Sequence, residues 1–467
     1  MAKIIFFNPS SRDNVYINTN VKVGAPHYPS LTLATLAGNL VQENDVKIID
    51  LDLAPYTYKD LLSLIKTFKP DVVATTAVTA SYNEAKKIMG IVKQEYPDVK
   101  TIIGGIHASV LPVEVGLQDH FDITVIGEGD NTIGEILSSF SLKEVKGIAY
   151  KDNNSKDIVF TGQRQLIQDM DRLPFPAWDL FEINKYKNSR LSSRKNPVGH
   201  IETSRGCAFE CNFCCKKIFG TQYRAKSPRR VADELEYMLK CGFKEVHISD
   251  DSFTQNIQRA KDICLEIIKR KLKFPWSLIN GVRVNLVDKE FLTLAKKAGC
   301  WQMGFGIETG DQGVLDKINK KTTVLQVEKA VKLAHRAGLD TFGFFIFGLS
   351  GETEESMKKT VKFAKRLPLD TAKFDICIPY PGTSYFEELE SSGRILSKDW
   401  SKYVCHQIDQ PLFKHPNLGW EMIGKYYKRA FREFYLRPGY IFRRFFRDIL
   451  KGDLIYDIRY LIQSGLL

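Results

Sequence analysis

The stretch Glu202–Cys215, ETSRGCAFECNFCC, contains three cysteines, Cys207, Cys211 and Cys214, at Cys-x3-Cys-x2-Cys spacing. It follows an apolar run from Val198 that is typical of a strand. A loop after a strand can direct three thiolates at one site, and soft thiolates select iron–sulfur clusters, zinc or copper(I). A structural zinc site would need a fourth ligand, whereas a four-iron cluster held by three cysteines leaves one iron open to a substrate or cofactor. Three unrelated buried cysteines are the alternative interpretation.

Strand and helix patterns alternate on both sides of this loop. In the first 140 residues or so, short apolar strands such as VVATT (Val72–Thr76) and TIIGG (Thr101–Gly105) are each followed by a helix. This order predicts an α/β fold with a doubly wound, flavodoxin-like (Rossmann-type) sheet. From Val198 the units are longer, and six of them predict an open (β/α)6 partial TIM barrel. The predicted barrel strands are 198–203, 245–249, 276–282, 302–307, 341–347 and 373–378.

The chain therefore divides into four predicted segments. Residues 1–143 form the first α/β domain, 144–192 a hairpin and linker, 193–395 the partial barrel, and 396–467 a helical C-terminal region. The hairpin is predicted to turn at Asn153-Asn154. The connector after it, Asp171–Phe181, contains prolines that favour an extended course between the domains.

The cysteine loop, with its Thr-Ser-Arg-Gly and Phe-x-Cys-x-Phe-Cys patterns, resembles the cluster loop of radical S-adenosylmethionine (SAM) enzymes. The resemblance implies that Cys207, Cys211 and Cys214 hold a [4Fe-4S] cluster whose open iron binds SAM. In that family the reduced cluster splits SAM to a 5'-deoxyadenosyl radical. The resemblance also implies a set of SAM-binding residues: Phe213, Asp250, Asp251, Arg283, Asn285, Glu308, Phe345 and Gly348. A helix N-cap is the alternative role for either aspartate.

The strings GGIHAS and VIGEGD resemble the cobalamin-binding domain found ahead of many radical SAM barrels. Ligands of doubly wound sheets lie outside the carboxyl ends of the strands. The Asp-x-His-x-x-G motif is absent, so the resemblance is to the subgroup without a histidine under the cobalt, and His107 is interpreted as a loop residue. A degenerate domain that binds no cofactor is the alternative. The predicted cobalamin-binding residues are Asn8, Pro9, Thr76, Ala77, Val78, Thr79, Gly104, Gly105, His107, Gly127, Glu128 and Gly129.

Composition favours a cytoplasmic protein. None of the nine cysteines precedes Cys207, which does not suit a secreted disulfide framework, and a low-potential cluster would need a reducing compartment. The N-terminus lacks the pattern of a signal peptide, and no run of about 18 apolar residues predicts a membrane span. The net charge of +12 suits anionic partners, but no nucleic-acid-binding motif accompanies it, so we expect no nucleic acid. The remaining cysteines are predicted to be structural: Cys215, Cys241, Cys264, Cys300, Cys377 and Cys405.

The tail from Trp420 interleaves Lys and Arg with aromatic and aliphatic residues. We expect a helix packed over the barrel, with an amphipathic helix at an anionic membrane surface as the alternative. Membrane association would favour a lipid or other apolar substrate. Helical phasing places one apolar group of residues together, Phe442, Phe445, Phe446 and Ile449, flanked by Arg443, Arg444 and Arg447.

Together the two resemblances imply a cobalamin-dependent radical SAM enzyme that methylates an unactivated carbon through methylcobalamin. They also imply a small-molecule or lipid substrate and an external electron donor such as ferredoxin or flavodoxin. The alternative within this class is radical cyclisation or rearrangement without net methylation, as in anaerobic tetrapyrrole ring formation. Alternatives from other classes are a non-catalytic cofactor-binding sensor and a zinc-binding structural protein.

Overall fold

The computed structural model describes residues 1–10, 27–53, 56–152, 155, 157–190, 192–406, 410–451 and 455. Seven strands form an N-terminal sheet: β1 Lys3–Asn8, β2 Asp45–Asp50, β3 Val72–Thr76, β4 Lys100–Gly104, β5 Ile123–Val125, β6 Ile148–Lys151 and β7 Ile158–Phe160. Their order is β2-β1-β3-β4-β5-β6-β7, with β1 to β5 parallel and β6 and β7 antiparallel. The order of β1 to β5 is that of a flavodoxin-like sheet, which confirms the predicted fold class.

Strand β1 shows why this sheet is covered on both faces. Ile4 and Phe6 point into one hydrophobic cluster, whereas Ile5 and Phe7 point into another, and all four are buried. Side chains alternate along a strand, so a continuous apolar run requires helices on both sides. The helices that supply this cover are α1 Leu31–Gly38, α2 Tyr58–Phe68, α3 Tyr82–Glu95, α4 Ile106–Val110, α5 Pro112–Gly116 and α6 Thr132–Ser138.

The predicted hairpin extends this sheet. Strand β6 pairs with β5 as well as with β7, so the hairpin is part of the first sheet and not of the linker between domains. Its predicted turn at Asn153-Asn154 lies outside the described residues. In the connector, Trp178 is fully buried, its ring lying 5.2 Å from that of Phe243, and the Ala177 N–H donates to the Ala34 carbonyl at 2.8 Å. The connector therefore packs across the boundary between the two sheets.

Eight further strands follow: β8 Val198–Ile201, β9 Ser204–Arg205, β10 Arg224–Ala225, β11 Glu245–Ile248, β12 Trp276–Val282, β13 Cys300–Glu308, β14 Asp340–Phe347 and β15 Thr371–Ile376. Six of them form an all-parallel sheet in the order β15-β14-β13-β12-β11-β8, and β9 and β10 form a separate ladder. Each strand of the six lies beside its successor, as in a barrel. Because no described strand joins β15 to β8, the barrel is open, as predicted.

The helices of this region are α7 Pro228–Lys240, α8 Ile257–Lys269, α9 Lys289–Lys297, α10 Gln312–Lys317, α11 Val324–Arg336, α12 Glu354–Arg366, α13 Ser384–Ser391, α14 Trp420–Tyr435 and α15 Pro438–Lys451. Most of them cover the outer face of the second sheet, whereas α10 and α13 contribute buried residues to the hydrophobic cluster that contains Ile5 and Phe7. Phe345 of β14 stacks on its register partner Phe374 of β15, and Phe374 meets Phe434 of α14. The alternate register pairs, Phe344 with Lys373 and Ile346 with Asp375, therefore face the inner, concave side.

The C-terminal helices correct one prediction. Helix α14 packs on the barrel through buried side chains such as Phe434, as expected. Helix α15 buries Tyr440 and Asp448 against the protein, yet the apolar residues expected to pack inward point outward: Phe442 is 67% exposed, and Phe445, Phe446 and Ile449 are 45–50% exposed. The core interpretation is wrong for this face of α15. Among the described residues, none of the helices is long and apolar enough to cross a membrane.

Candidate active site

The cysteine loop begins just beyond β8, and the short β9–β10 ladder closes it. At Gly206 the backbone has φ +81°, and a Cβ atom there would lie 2.2 Å from the Gln222 carbonyl oxygen. Only glycine therefore permits the turn that leads into the cysteines. Cys207 is half-buried, Cys211 buried and Cys214 exposed, so the loop reaches from the interior to the surface.

Cys211 has the electrostatic environment of a metal-binding thiolate. A hydrogen bond from Cys214, together with the nearby charges of Lys320 and Arg283, lowers the pKa of Cys211 to about 6 despite its burial. Nη1 of Arg283 lies 3.7 Å from Sγ of Cys211. The hydrogen bond that it shares with Cys211 raises the pKa of Cys214. Three cysteines in one loop beside two cations fit a [4Fe-4S] cluster, whose ligands are thiolates.

Asp250 fastens the start of this loop to the end of β11. Its buried carboxylate accepts hydrogen bonds from the backbone N–H and hydroxyl of Thr203 at 2.6 and 2.5 Å and from the Ser204 hydroxyl at 2.6 Å. These donors occupy both oxygens, so the side chain has a structural partner before any ligand binds. That Asp250 also contacts SAM stays a prediction.

Its neighbour Asp251 is exposed and accepts a hydrogen bond from the Gly206 N–H at 3.0 Å. The proposed N-cap role for either aspartate does not hold, because Asn256 caps α8 by accepting from the Arg259 N–H. Asp251 thus remains a predicted SAM-binding residue at the rim of the cysteine loop.

Glu308 ends β13 in the left-handed region, with φ +65°. A residue other than glycine held in that region stores strain of a kind found at functional sites. Its carboxylate forms a buried ion pair with Lys320, whose carbonyl accepts from Arg283. Glu308, Arg283 and Lys320 therefore converge next to Cys211. Asn285 lies exposed on the turn after β12.

Three other predicted SAM residues, Phe345, Gly348 and Phe213, lie in different surroundings. The Phe345 ring faces the outer helices, so a SAM contact through this side chain does not fit, and the prediction reduces to its backbone. Gly348 follows β14 with φ +84°, and its N–H donates to the buried carboxylate of Glu352. Phe213 lies half-buried in the cysteine loop, its ring centroid 5.9 Å from Nζ of Lys320. All three remain predictions as SAM contacts.

The predicted cobalamin loops meet at the carboxyl edge of the N-terminal sheet. The Ala77 N–H donates to the Gly104 carbonyl at 3.0 Å, and the Gly127 N–H donates to the Ser109 hydroxyl at 3.0 Å. Val78 is 53% exposed at this edge, and a Cβ on Gly127 would meet nothing within 4 Å. A small-residue edge with open space above it fits a large flat cofactor.

Individual members of this edge differ in accessibility. Gly105 is needed for packing, because a Cβ there would lie 2.6 Å from the Thr76 hydroxyl. The Asn8 amide turns back to donate to Asp50 of β2 at 2.9 Å. Pro9, Thr79 and Ala77 are buried, and a Cβ on Gly129 would lie 3.1 Å from Leu36. Their contacts with cobalamin stay predictions.

His107 is fully buried; its ring stacks on that of Tyr82 at 4.0 Å between centroids and meets that of Trp400 edge-on at 5.4 Å. Nδ1 lies 3.4 Å from the Thr79 hydroxyl. Burial lowers the pKa of His107 to about 4, so the ring is neutral near pH 7. This environment supports the interpretation of His107 as a packed residue beneath the loops.

Glu128 joins the two domains. Its buried carboxylate lies 2.8 Å from Nη1 of Arg224 and 3.1 Å from Nη1 of Arg205, and it also accepts from the Ile167 N–H at 2.8 Å. Arg205 pairs in addition with Asp130. The carboxylate of Glu128 thus already pairs with arginines of the barrel domain. A contact between Glu128 and cobalamin would therefore have to involve its backbone. Sequence reasoning missed Arg205, Asp130 and Lys320 as site residues, although Arg205 stands in the Thr-Ser-Arg-Gly pattern.

Two protein-family models match the chain over these two regions. The model of the radical SAM superfamily matches residues 201–364. The model of the B12 binding domain matches residues 19–137. The matched regions contain the cysteine loop and most of the cobalamin edge described above.

Relatives that match most of the chain point the same way. An uncharacterized methyltransferase, PH0819 of Pyrococcus horikoshii, is 36% identical over 91% of this chain and 94% of its own length. The anaerobic magnesium-protoporphyrin IX monomethyl ester cyclase of Rubrivivax gelatinosus is 30% identical over 86% of this chain and 72% of its own.

Solved structures share the architecture. The radical SAM methyltransferase TsrM from Kitasatospora setae, with cobalamin and a [4Fe-4S] cluster bound, gives a TM-score of 0.69 at 20% identity, covering 84% of this chain and 75% of TsrM. The cobalamin-dependent SAM radical enzyme OxsB with aqua-cobalamin bound gives 0.73 at 18% identity, covering 91% of this chain and 66% of OxsB. These likenesses concern the fold. The chain is an enzyme of the radical SAM superfamily and belongs to its cobalamin-dependent family, with a [4Fe-4S] cluster, SAM and cobalamin as cofactors.

Proposed function

We propose that this enzyme transfers a methyl group, through its cobalamin, to an unactivated carbon of a small-molecule substrate. The observation that carries the proposal is the buried ion-pair network in which Arg205 of the cysteine loop binds Asp130 and Glu128 of the cobalamin edge. Because this network joins the loops of the two cofactors directly, a substrate between them can reach both. The similarity to PH0819 supports the same reaction class.

The bound cluster, SAM and cobalamin supply the radical and methyl-transfer chemistry, and the protein supplies position and environment. Lys320 and Arg283 stabilise the thiolate of Cys211, and Asp250 holds the loop in place. Phe344 and Ile346 place half-buried apolar side chains on the concave side of the barrel. Apolar walls there would keep water from a reactive radical. We expect an external donor of the ferredoxin or flavodoxin type to supply the electron.

A labelling experiment tests methyl transfer. Cells expressing the enzyme are fed methionine with a deuterated methyl group, and their extracts are compared by mass spectrometry with those of a Cys207→Ala/Cys211→Ala/Cys214→Ala strain. We expect a compound, present only with the wild type, that carries the label. A wild-type-specific product without label would contradict methylation and favour cyclisation, the reaction named for the relative at 30% identity. Failure of the reconstituted enzyme to cleave SAM under strong reductant would contradict radical chemistry altogether.

We also infer that α15 docks on an anionic lipid surface. Ile441, Phe442 and Phe446 of α15 are each at least 50% exposed and lie on one face at helical spacing, with Phe445 and Ile449 beside them. The preceding helix α14 exposes a basic series, Lys425, Lys428, Arg429 and Arg432. An apolar face next to clustered positive charge suits insertion among anionic headgroups. A lipid or otherwise apolar substrate would be consistent with this location.

Vesicle sedimentation tests this second inference. We expect the wild type to sediment with phosphatidylglycerol-containing vesicles and not with pure phosphatidylcholine, and Phe442→Glu/Phe446→Glu to remain in solution. Leu325→Glu is the matched control, since Leu325 is 77% exposed on α11, away from α15. Binding to neither vesicle, or a Phe442-dependent dimer in light scattering, would overturn the lipid interpretation. The cytoplasmic location stays a prediction.

A further inference from the structure

A second group of metal-ligating side chains gathers at the free edge of the barrel. After β15 the chain leaves the sheet and returns along it, so that the Ile376 N–H donates to the Cys405 carbonyl at 3.2 Å. This return brings Cys405 and His406 beside Asp375, which lies near the carboxyl end of β15. Among the described residues, the ligand atoms of these three side chains all lie within 4.8 Å of one another.

Asp375 faces the concave side of the sheet. In the β14–β15 register Asp375 pairs with Ile346, whereas Phe345 and Phe374, one residue away, pack against the outer helices. Paired residues of parallel strands share a face. The trio therefore borders the inner side of the barrel, and it stands on different strands and loops from the cysteine loop at the end of β8.

The two oxygens of the Asp375 carboxylate differ: one contacts a lysine, and the other has no hydrogen-bond partner among the described residues. Oδ2 lies 3.2 Å from Nζ of Lys373. Oδ1 is buried without a hydrogen-bond partner among the described residues, and Nδ1 of the His406 ring lies 3.7 Å from it. A buried carboxylate oxygen without a donor is costly unless something compensates it. A cation placed between Oδ1, the His406 ring and the Cys405 sulfur would do so.

A second layer of contacts orients these ligands. The Tyr427 hydroxyl lies 3.3 Å from Nδ1 of His406, and Lys373 holds the other oxygen of Asp375. Metal-binding carboxylates are commonly held in this way by a contact to their remaining oxygen. Burial and the charge of Asp375 raise the pKa of Cys405 to about 12, so metal binding would release the thiol proton.

We propose that Asp375, Cys405 and His406 bind a zinc ion whose fourth position faces the barrel interior. A carboxylate oxygen, a thiolate sulfur and an imidazole nitrogen form a mixed donor set that suits zinc, whereas a thiolate ligand disfavours magnesium and calcium. Three protein ligands with an open fourth position are the arrangement of catalytic rather than structural zinc. Because the concave side is where the proposed function places the substrate, the open position would accept a Lewis-basic group of it, and this last point rests on the proposed function.

The experiment measures zinc in the full chain with its cluster reconstituted. Protein is incubated with zinc, dialysed, and analysed for zinc and iron together, and affinity is obtained by competition with a chelator. Cluster cysteines can themselves trap zinc, so the Cys207→Ala/Cys211→Ala/Cys214→Ala variant is measured in parallel. The ligand variants are Asp375→Asn, Cys405→Ser and His406→Gln. Cys241→Ser is the matched control, because Cys241 is also half-buried but lies at the end of α7.

We expect one zinc per chain in the wild type, in Cys241→Ser and in the triple variant, and an affinity at least ~100-fold weaker in each ligand variant. Circular dichroism and cobalamin binding establish that the variants are folded. A wild type that retains no zinc would overturn the proposal. Zinc that is lost from the triple variant but kept by Cys405→Ser would also overturn it, and would leave the trio as a hydrogen-bonded cluster. Neither outcome bears on methyl transfer, which is measured separately.

Discussion

Arg205 of the cysteine loop and Asp130 of the N-terminal domain form a two-point ion pair, with Nη1–Oδ2 at 2.9 Å and Nη2–Oδ1 at 3.0 Å. Each side chain is only 5% exposed. Nε of Arg205 also lies 2.6 Å from the Glu202 carboxylate. Because parallel N–H···O bonds fix direction as well as distance, the pair sets how the cobalamin edge meets the cluster loop.

Asp130→Ala tests this junction. Removing one partner of a buried ion pair leaves the guanidinium undercompensated and costs about 3–5 kcal/mol. We expect a markedly lower unfolding temperature and a lower cobalamin occupancy after gel filtration. Lys151→Ala is the control, because its pair with Asp119 is exposed and contributes about 0–1 kcal/mol. Equal losses in the two variants would show that Asp130 has no special part in the junction.

Adjacent cysteines provide a sharp test of the cluster ligands. Cys214→Ala removes a proposed ligand, and we expect loss of cluster iron and of SAM cleavage. Cys215 instead packs at the domain junction, where its sulfur lies 3.2 Å from the position of a Cβ on Gly382. Cys215→Ala should therefore retain iron and SAM cleavage. Loss of iron in Cys215→Ala with retention in Cys214→Ala would reverse the assignment.

The Asp250→Asn variant tests whether Asp250 holds the cysteine loop in place or binds SAM. An asparagine amide replaces one of the two accepting oxygens by an NH2 group, so either the Thr203 N–H or the hydroxyls of Thr203 and Ser204 lose the acceptor to which they now donate, and the attachment of the loop's start should weaken. We expect iron to be lost several-fold faster on dilution, whereas Asp98→Asn, at an exposed site in the N-terminal domain, should not change this rate. Normal iron retention with a raised KM for SAM would instead assign Asp250 to SAM.

The spacing of the cysteines predicted the cluster loop because three thiols in so short a segment have few other uses. Strand periodicity likewise placed the two sheets, since a run such as β1 must be covered on both faces. The sequence did not show to which face of the sheet a single side chain points. Phe345 and Ile346 are both apolar neighbours on one strand, and only the register with β15 shows which points outward.

The sequence also could not show which side chains pair between the two domains. Glu128 stands in a glycine-rich loop that suits a cofactor, yet its carboxylate binds Arg224 and Arg205 from the barrel. Lys320 could not be recognised as a site residue from the sequence, because it lies in a loop between two helices and only the fold brings it close to Cys211. Helix α15 was expected to bury its apolar face, but its arginines reach inward instead, as Arg447 does to Asp370 at 2.9 Å.

His107 offers a prediction about pH and about cobalt ligation together. Burial lowers the pKa of His107 to about 4 in the folded protein, whereas an unfolded histidine titrates near 6.5. Between these values the unfolded state binds the extra proton, so stability falls as pH falls, by at most about 1.4 kcal/mol per pH unit. His107→Phe preserves a ring against Tyr82 and removes the titration. We therefore expect its unfolding temperature to decline less than that of the wild type from neutral to mildly acidic pH.

The comparison of His107→Phe with the wild type also controls for the other buried histidines. His200 is also buried with a lowered pKa, but it is present in both proteins, so the difference between them reports His107 alone. Because the ring is packed between Tyr82 and Trp400, we expect the electron paramagnetic resonance spectrum of bound cob(II)alamin to be the same in both proteins. Nitrogen superhyperfine splitting that disappears in His107→Phe would identify the histidine as a cobalt ligand. An unchanged pH slope would show that the ring is not held neutral by burial.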